Sequence, residues 1–180
     1  FQLQIIKLFS SVDLIFLIII GGLWGSFANV CIVRLPEDKG VVSGRSNCPK
    51  CKKQINWYDN IPIISYFILN GKCRKCKKPI SFQYVVVELL SIVSFVTIYL
   101  IYGFSFTTLL LIILSLGFII IFFIDLKHFI IPDVITFPLM ALGFIKSFIP
   151  NLDPLFPYYV LSLIGGVFGY GIIWGIIFFY

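Results

Sequence analysis

The stretch I-D-L-K-H-F-I-I-P-D at residues 124–133 is a short polar segment between two long apolar runs. It carries two carboxylates, Asp125 and Asp133. The nineteen residues Phe106–Ile124 that lead into it contain no charge, and the chain becomes apolar again at Val134. A charged group at the edge of a bilayer costs little, whereas one inside the bilayer is expensive and usually functional. The place of Asp125 relative to the bilayer therefore decides how the whole chain is interpreted.

The composition indicates an integral membrane protein. The 180 residues are 59% hydrophobic and 12% charged, with a mean hydropathy of +1.03, whereas a soluble domain is about 25% charged. A helix of about 20 apolar residues crosses a hydrocarbon core of about 30 Å. We predict an all-α polytopic membrane protein with about five transmembrane helices, at Leu14–Val33, Tyr84–Tyr102, Phe106–Ile124, Val134–Ile145 and Tyr158–Tyr180.

These spans divide the chain into three parts: residues 1–33 with the first span, a loop domain at 34–83, and transmembrane residues 84–180. The loop holds eleven of the fourteen Lys and Arg residues. Clustered basic residues in a short loop beside membrane spans mark the cytoplasmic side, and this location argues against nucleic acid as the partner. We therefore expect the loop and Asp125 to face the cytoplasm, with a secondary attraction of the loop to anionic lipid headgroups.

Glycine and proline predict local packing within the spans. The pairs Gly21/Gly25 and Gly22/Ser26 permit close helix packing, and Gly103 is expected to form a tight turn. Pro138 should kink the fourth span, and residues 150–154 should form an outside loop. We find no internal repeat. The fifth span should use its glycines for one or more close contacts, at Gly165, Gly166, Gly169, Gly171 and Gly175.

Four cysteines of the loop have the spacing C-x2-C-x21-C-x2-C, at Cys48, Cys51, Cys73 and Cys76. Two such knuckles can surround one tetrahedral zinc ion with four thiolates. The alternatives are two disulfides, which a reducing cytoplasm disfavours, or four free thiols. We predict a structural zinc site with no open coordination position for catalysis. Cys31 lies in the first span, where a small packing residue is the simpler interpretation.

The carboxylates leave several interpretations open. Asp125 is either a charge at a helix end or a catalytic acid, and His128 shares its face if the helix continues. Asp133 precedes the fourth span and can cap its N-terminus. Glu88 is a second acid, a group facing a polar groove, or an anion placed near the N-terminus of the second span. An aspartic protease needs two carboxyl groups that share a proton, so Asp125 alone is half of a site.

In their order and spacing, several motifs together resemble the bacterial type IV prepilin peptidases (leader peptidase/N-methyltransferase), over most of the chain from about Gly21 onward. The motifs are Gly25-Ser26-Phe27-Ala28-Asn29-Val30 with Arg34-Leu35-Pro36, the two CxxC knuckles, Asp59-Asn60-Ile61-Pro62, Gly71-Lys72-Cys73, Tyr84 with Glu88-Leu89-Leu90, and Ile124-Asp125 through Ile131-Pro132-Asp133.

The resemblance implies a multi-pass aspartic endopeptidase of the bacterial inner membrane. Such enzymes cut the basic leader from prepilins and pseudopilins on the cytoplasmic side. Members with the cysteine loop commonly also methylate the new N-terminal residue with S-adenosylmethionine. By motif match, Asp125 would be the first catalytic aspartate.

One departure concerns the second aspartate, which the family carries in a G-x-G-D motif. Here Gly169-Tyr170-Gly171 is followed by Ile172. We therefore expect the G-x-G-D segment beyond Tyr180, and we expect the 180 residues by themselves not to cleave.

Two other classes of function remain as alternatives. The first is a non-enzymatic membrane scaffold whose zinc-binding loop recruits a cytoplasmic partner, which would need no second acid. The second is a transporter, which usually requires broken helices with polar groups near the midplane of the bilayer. Sensitivity of leader cleavage to Asp125 substitution distinguishes the peptidase from both.

Overall fold

The computed structural model describes residues 11–41, 46–148 and 159–179. The described chain is all-helical, with two isolated β-bridges and no strand in these three ranges. Short 3-10 turns occur at Leu35–Glu37 and Trp57–Asn60. The helices are α1 (Ser11–Arg34), α2 (Ile64–Ile68), α3 (Gln83–Tyr102), α4 (Phe106–His128), α5 (Asp133–Ser147) and α6 (Tyr159–Phe179).

Five of these helices coincide with the five predicted spans, which confirms the all-α membrane fold. Three segments are long and apolar enough to cross a bilayer: Val12–Glu37, Gln83–Tyr102 and Phe106–His128. Helix α5 has 15 residues, and the apolar stretch found in α6 is the shorter Tyr159–Ile172. The count of about five spans therefore stays a prediction.

Helices α1 and α3 pack with their backbones nearly in contact. A Cβ added to Gly21 would lie 2.9 Å from Cα of Ile92, and one added to Gly25 would lie 2.7 Å from Cα of Glu88. Both distances are shorter than real Cβ contacts allow. The small residues thus permit the approach that the Gly21/Gly25 pair predicts. Gly22 faces a different neighbour, because its added Cβ would meet Pro62 at 3.2 Å.

A hydrogen bond and a tight turn define the end of the bundle opposite to Arg34. The Tyr99 hydroxyl donates to Oδ2 of Asp13 at 3.1 Å, which joins the end of α3 to the start of α1. Gly103 then takes φ +64° as predicted for a turn, and Ser105 caps α4 by accepting the Thr108 N–H. Because α4 also packs against α1 and α3, its C-terminus lies at the same end of the bundle as the start of α3.

Helices α5 and α6 form a second compact unit that begins at Asp133. Pro138 lies inside α5, and the predicted outside loop at 150–154 lies outside the described residues. The expectation that the α6 glycines line close contacts is wrong for the described part of the chain, since an added Cβ at any of them would meet nothing within 4 Å. Small residues permit a close approach but do not cause one.

Gly25→Ala should destabilise the protein although alanine favours helix. The added Cβ must push apart two backbones, and overpacking of this kind costs about 1–3 kcal/mol. The matched control is Gly143→Ala in α5, where an added Cβ meets nothing within 4 Å; it should be neutral or gain up to about 1 kcal/mol from helix propensity. Thermal unfolding in lipid nanodiscs measures both. Equal stability of the two variants would contradict the close approach.

Candidate metal centre and candidate catalytic carboxylate

The first cysteine knuckle is a tight turn closed by backbone hydrogen bonds. The Cys48 N–H donates to the Lys53 carbonyl at 3.0 Å, and the Lys52 N–H donates to the Cys48 carbonyl at 2.8 Å. Lys52 adopts a left-handed φ of +60°, and an antiparallel bridge between Asn47 and Gln54 closes the turn. This geometry turns the chain back directly after the second cysteine.

The second knuckle repeats the first. The Cys73 N–H donates to Lys78 at 2.9 Å and the Lys77 N–H donates to Cys73 at 2.9 Å. Lys77 has φ +59°, and the bridge joins Lys72 to Pro79. This repeat corrects the expectation of a chain without internal repeats. Its signal is C-x-K-C-K-K, which occurs at residues 48–53 and again at 73–78.

The two knuckles bring four sulfur atoms together. The Sγ atoms of Cys48, Cys51, Cys73 and Cys76 all lie within 4.8 Å of one another, and Cys48 Sγ is 3.9 Å from Cys76 Sγ. A tetrahedral zinc with Zn–S bonds of about 2.3 Å places its sulfurs about 3.8 Å apart. None of these four cysteines takes part in a disulfide. The cluster can therefore hold a metal such as zinc.

The thiols influence one another's ionisation. Backbone N–H groups of Cys76 and Lys75 lower the pKa of Cys73 to about 7. At Cys76 the Lys78 N–H also lowers the pKa, but burial and the neighbouring thiols outweigh it and raise the pKa to about 11. The Cys73 thiol thus loses its proton readily, and ionisation of the neighbouring Cys76 thiol becomes less favourable. A bound metal cation would stabilise all the thiolates at once and so favour their ionisation together.

An ion pair joins the second knuckle to the segment between the knuckles. Arg74 donates from Nε to both Asp59 oxygens at 3.0 Å and from Nη2 to Oδ1 at 2.7 Å. The guanidinium also lies 5.6 Å from the ring centroid of Tyr58, at cation–π distance. This planar, bidentate contact orients the segment in a way that a lysine could not.

Glu88 makes a contact that sequence reasoning missed. Its side chain accepts the Ile63 N–H at 2.7 Å, and the residue is only 7% exposed. Glu88 therefore joins α3 to the segment between the knuckles, at the point where Gly25 of α1 approaches α3. The sequence leaves three roles open for Glu88. A buried side chain that accepts a backbone N–H agrees best with the role of a group that faces a polar groove.

Asn29 lies one helical turn from Ser26 and Gly25 at the same helix contact. Its Nδ2 donates to the carbonyls of Gly25 at 3.3 Å and Tyr84 at 3.0 Å. Asn29 is 2% exposed, and its Oδ1 has no partner among the described residues. The motif Gly25-Ser26-Phe27-Ala28-Asn29 thus supplies both the close approach and the polar contacts of α1 with α3.

Asp125 and His128 lie on the last turn of α4, and both are exposed. The helix continues through His128, so the two share a face as predicted. The Asp125 carboxylate has no partner among the described residues. Asp133 begins α5 in the second unit, and its capping role stays a prediction.

Two family models match consecutive parts of the chain. Residues 19–102 match the bacterial peptidase A24 N-terminal domain, and residues 109–180 match the type IV leader peptidase family. The chain belongs to the type IV leader peptidase family. The first match contains most of α1, both knuckles and α3, and the second contains Asp125.

Several curated relatives carry the name prepilin leader peptidase/N-methyltransferase. The Vibrio cholerae protein is 40% identical over 145 residues, which cover 74% of this chain and 56% of the relative. The Myxococcus xanthus protein is 37% identical, with 77% and 42% covered, and the Neisseria gonorrhoeae protein is 36% identical, with 87% and 62% covered. The chain thus spans about half the length of these relatives. No solved structure matches it.

Purified protein should contain about one zinc per chain, since four thiolates complete a structural site. Cys73→Ser should lose most of this metal because it removes one of the four ligands. Cys31→Ser is the matched control, since Cys31 is buried in α1 and outside the cluster. Elemental analysis after gel filtration measures the metal content. Equal zinc in both variants, or none in the parent protein, would contradict the site.

Proposed function

We propose that this protein is a membrane aspartic endopeptidase that removes the leader peptide of type IV prepilins and pseudopilins and then methylates the new N-terminal residue. The observation that carries the proposal is the exposed Asp125 carboxylate at the end of α4, inside the part of the chain that matches the leader peptidase family. The names of the curated relatives support the substrate class and the second activity.

Asp125 suits a role in hydrolysis because the residue is accessible and lies next to a membrane span. A substrate with an apolar helix in the bilayer and a basic leader outside it has its cleavage site at the bilayer edge. The end of α4 lies at the same end of the bundle as the start of α3, and the second knuckle precedes α3 by a few residues in the chain. The knuckles carry basic residues on both sides of the cysteines.

The mechanism needs a second carboxylate. One ionised carboxylate takes a proton from water, which attacks the scissile carbonyl carbon, while a protonated carboxyl donates a hydrogen bond to the carbonyl oxygen. The peptide C–N bond then breaks and the amine leaves with a proton. We assign one acid to Asp125 and expect the other in a G-x-G-D motif, which the 180 residues do not contain. Extending the reading frame past Tyr180 tests this directly.

Zinc in the cysteine cluster would be structural. All four coordination positions are supplied by Cys48, Cys51, Cys73 and Cys76, so the metal has no open position for a substrate or water. The surrounding lysines and Arg74 would offset the net negative charge of a four-thiolate site. The metal would thereby hold the two knuckles together and fix the loop beside the bundle.

The methyl donor would be S-adenosylmethionine, whose sulfonium supplies a methyl group to the new N-terminal amine. We assign no residue of the chain to its binding. We place the protein in the bacterial inner membrane with the knuckles and Asp125 on the cytoplasmic side, since the basic residues of the loop follow the positive-inside pattern.

Asp125→Asn in the full-length protein should abolish leader cleavage, by about a thousandfold or more, because asparagine cannot accept the proton from water. Membrane insertion and zinc content should not change. The matched control is Asp133→Asn, which should keep cleavage if Asp133 only caps α5. The measurement is the mobility shift of a prepilin substrate in liposomes.

The outcomes separate the alternatives. Cleavage retained by Asp125→Asn would remove Asp125 from the active site and favour a non-enzymatic scaffold. Loss of cleavage in both variants, with zinc and insertion intact, would instead place Asp133 in the reaction. Absence of a second acid in the extended reading frame would reject the aspartic mechanism.

A further inference from the structure

The segment between the two knuckles is unusually apolar for a loop. It contains the 3-10 turn Trp57–Asn60, a sharp bend at Ile63 with φ +61°, and the short helix α2. Its residues 61–69 read I-P-I-I-S-Y-F-I-L and contain no charge. The basic residues resume at Lys72. A segment that only connected two metal knuckles in water would not need this composition.

The tip of this segment reaches the middle of α1. An added Cβ at Gly22 would lie 3.2 Å from Cβ of Pro62 and 3.6 Å from Cδ1 of Ile92. Gly22 is twelve residues from the Arg34 end of α1, which is about 18 Å at 1.5 Å per residue. On α3, Ile92 is nine residues from Gln83, about 14 Å along the axis. With the edge of the hydrocarbon core set at the Arg34 and Gln83 ends of these helices, half of the core is about 15 Å, and this depth corresponds to Pro62.

The backbone of the tip is satisfied by the protein, as a segment without water requires. Pro62 has no N–H, and the four other N–H groups from Ile61 to Ser65 all have protein acceptors. Non-helical backbone at membrane depth is tolerated only where protein or water surrounds it, and here protein groups accept all four N–H bonds. The bonds are Ile61 N–H to Ser65 Oγ (2.9 Å), Ile63 N–H to Glu88 Oε2 (2.7 Å), Ile64 N–H to the Pro62 carbonyl (2.5 Å) and Ser65 N–H to the Ile61 carbonyl (3.1 Å).

The outer face of the segment is apolar and exposed. Ile64, Phe67 and Ile68 are 56%, 63% and 69% exposed, a range shared by α1 residues such as Phe16 at 60%. Exposing three large apolar side chains of the five-residue helix α2 to water would cost free energy. Exposing them to hydrocarbon carries no such cost, since lipid acyl chains are as apolar as these side chains.

We propose that residues 61–69 form a re-entrant hairpin that dips into the hydrocarbon core beside α1 and α3 and returns on the same side, with Ile64, Phe67 and Ile68 facing lipid acyl chains. Glu88 anchors the hairpin by accepting the N–H at its bend. The loop domain between residues 34 and 83 therefore has two water-exposed knuckles with a membrane-embedded segment between them. This inference does not depend on the proposed peptidase activity.

Depth-dependent fluorescence quenching tests the hairpin. In full-length protein with every tryptophan replaced by Phe, Trp24, Trp57 and Trp174 among them, a single Ile64→Trp is introduced and the protein is reconstituted in liposomes. The lipids are brominated either near the terminal methyl of the acyl chain or near the headgroup. We expect deep bromines to quench Ile64→Trp at least about twice as strongly as shallow ones, as for a position near the bilayer centre.

Two reference positions calibrate the measurement. Phe118→Trp lies mid-way along α4, where Phe118 is exposed, and Phe104→Trp lies at the turn between α3 and α4, where Phe104 is 99% exposed. Ile64→Trp should resemble Phe118→Trp. Quenching like that of Phe104→Trp would overturn the proposal in favour of a surface loop. Absence of quenching by both lipids would also overturn it, because another protein surface would then cover the face.

A large side chain introduced at Gly22 tests whether the contact between Gly22 and Pro62 sets the depth of the hairpin in the bilayer. Gly22→Leu puts a side chain where Pro62 lies, so deep quenching of Ile64→Trp should fall toward the value of Phe104→Trp. The matched control is Gly143→Leu, at a glycine with open space around it, which should leave the quenching unchanged. Unchanged deep quenching with Gly22→Leu would contradict the Pro62 contact as the origin of the depth and overturn the hairpin.

Discussion

The close approach of α1 and α3 is the contact on which the rest of the structure depends. No side chain separates the two backbones at Gly21 and Gly25, so the polar groups beside them are forced into one small region. Glu88 and Asn29 become buried there and find most of their partners in backbone groups of neighbouring segments. Dispersion between the closely packed backbones, together with side-chain hydrogen bonds such as that of Asn29 to the Tyr84 carbonyl, provides this association, because burial from lipid gives no hydrophobic gain.

Much of the fold could be predicted from the sequence because the bilayer imposes a length. The uncharged run Leu14–Val33 became α1 at Ser11–Arg34, and Tyr84–Tyr102 became α3 at Gln83–Tyr102. The candidate metal site could also be predicted from the sequence, because two closely spaced pairs of cysteines can supply the four ligands of a tetrahedral site. In both cases a single physical requirement fixes the spacing of the residues, and the pattern is local in the chain.

The features that sequence reasoning missed depend on contacts between distant segments. Nothing in the apolar run around Glu88 indicates that its partner is the N–H of Ile63, 25 residues earlier. The glycines of α6 have the same small-residue signature as those of α1, yet only the latter meet a neighbour among the described residues. A pattern shows which surfaces can approach closely, and tertiary structure decides which of them do.

The placement of the cysteine pairs on either side of residues 57–70 has a consequence for biogenesis. In an extended nascent chain the 21 residues between Cys51 and Cys73 hold the pairs far apart, and only a chain that has turned back brings Cys48 and Cys76 to 3.9 Å. A four-thiolate site can therefore close only after this stretch has turned back on itself. Metal uptake would then follow the folding of residues 57–70 rather than precede it.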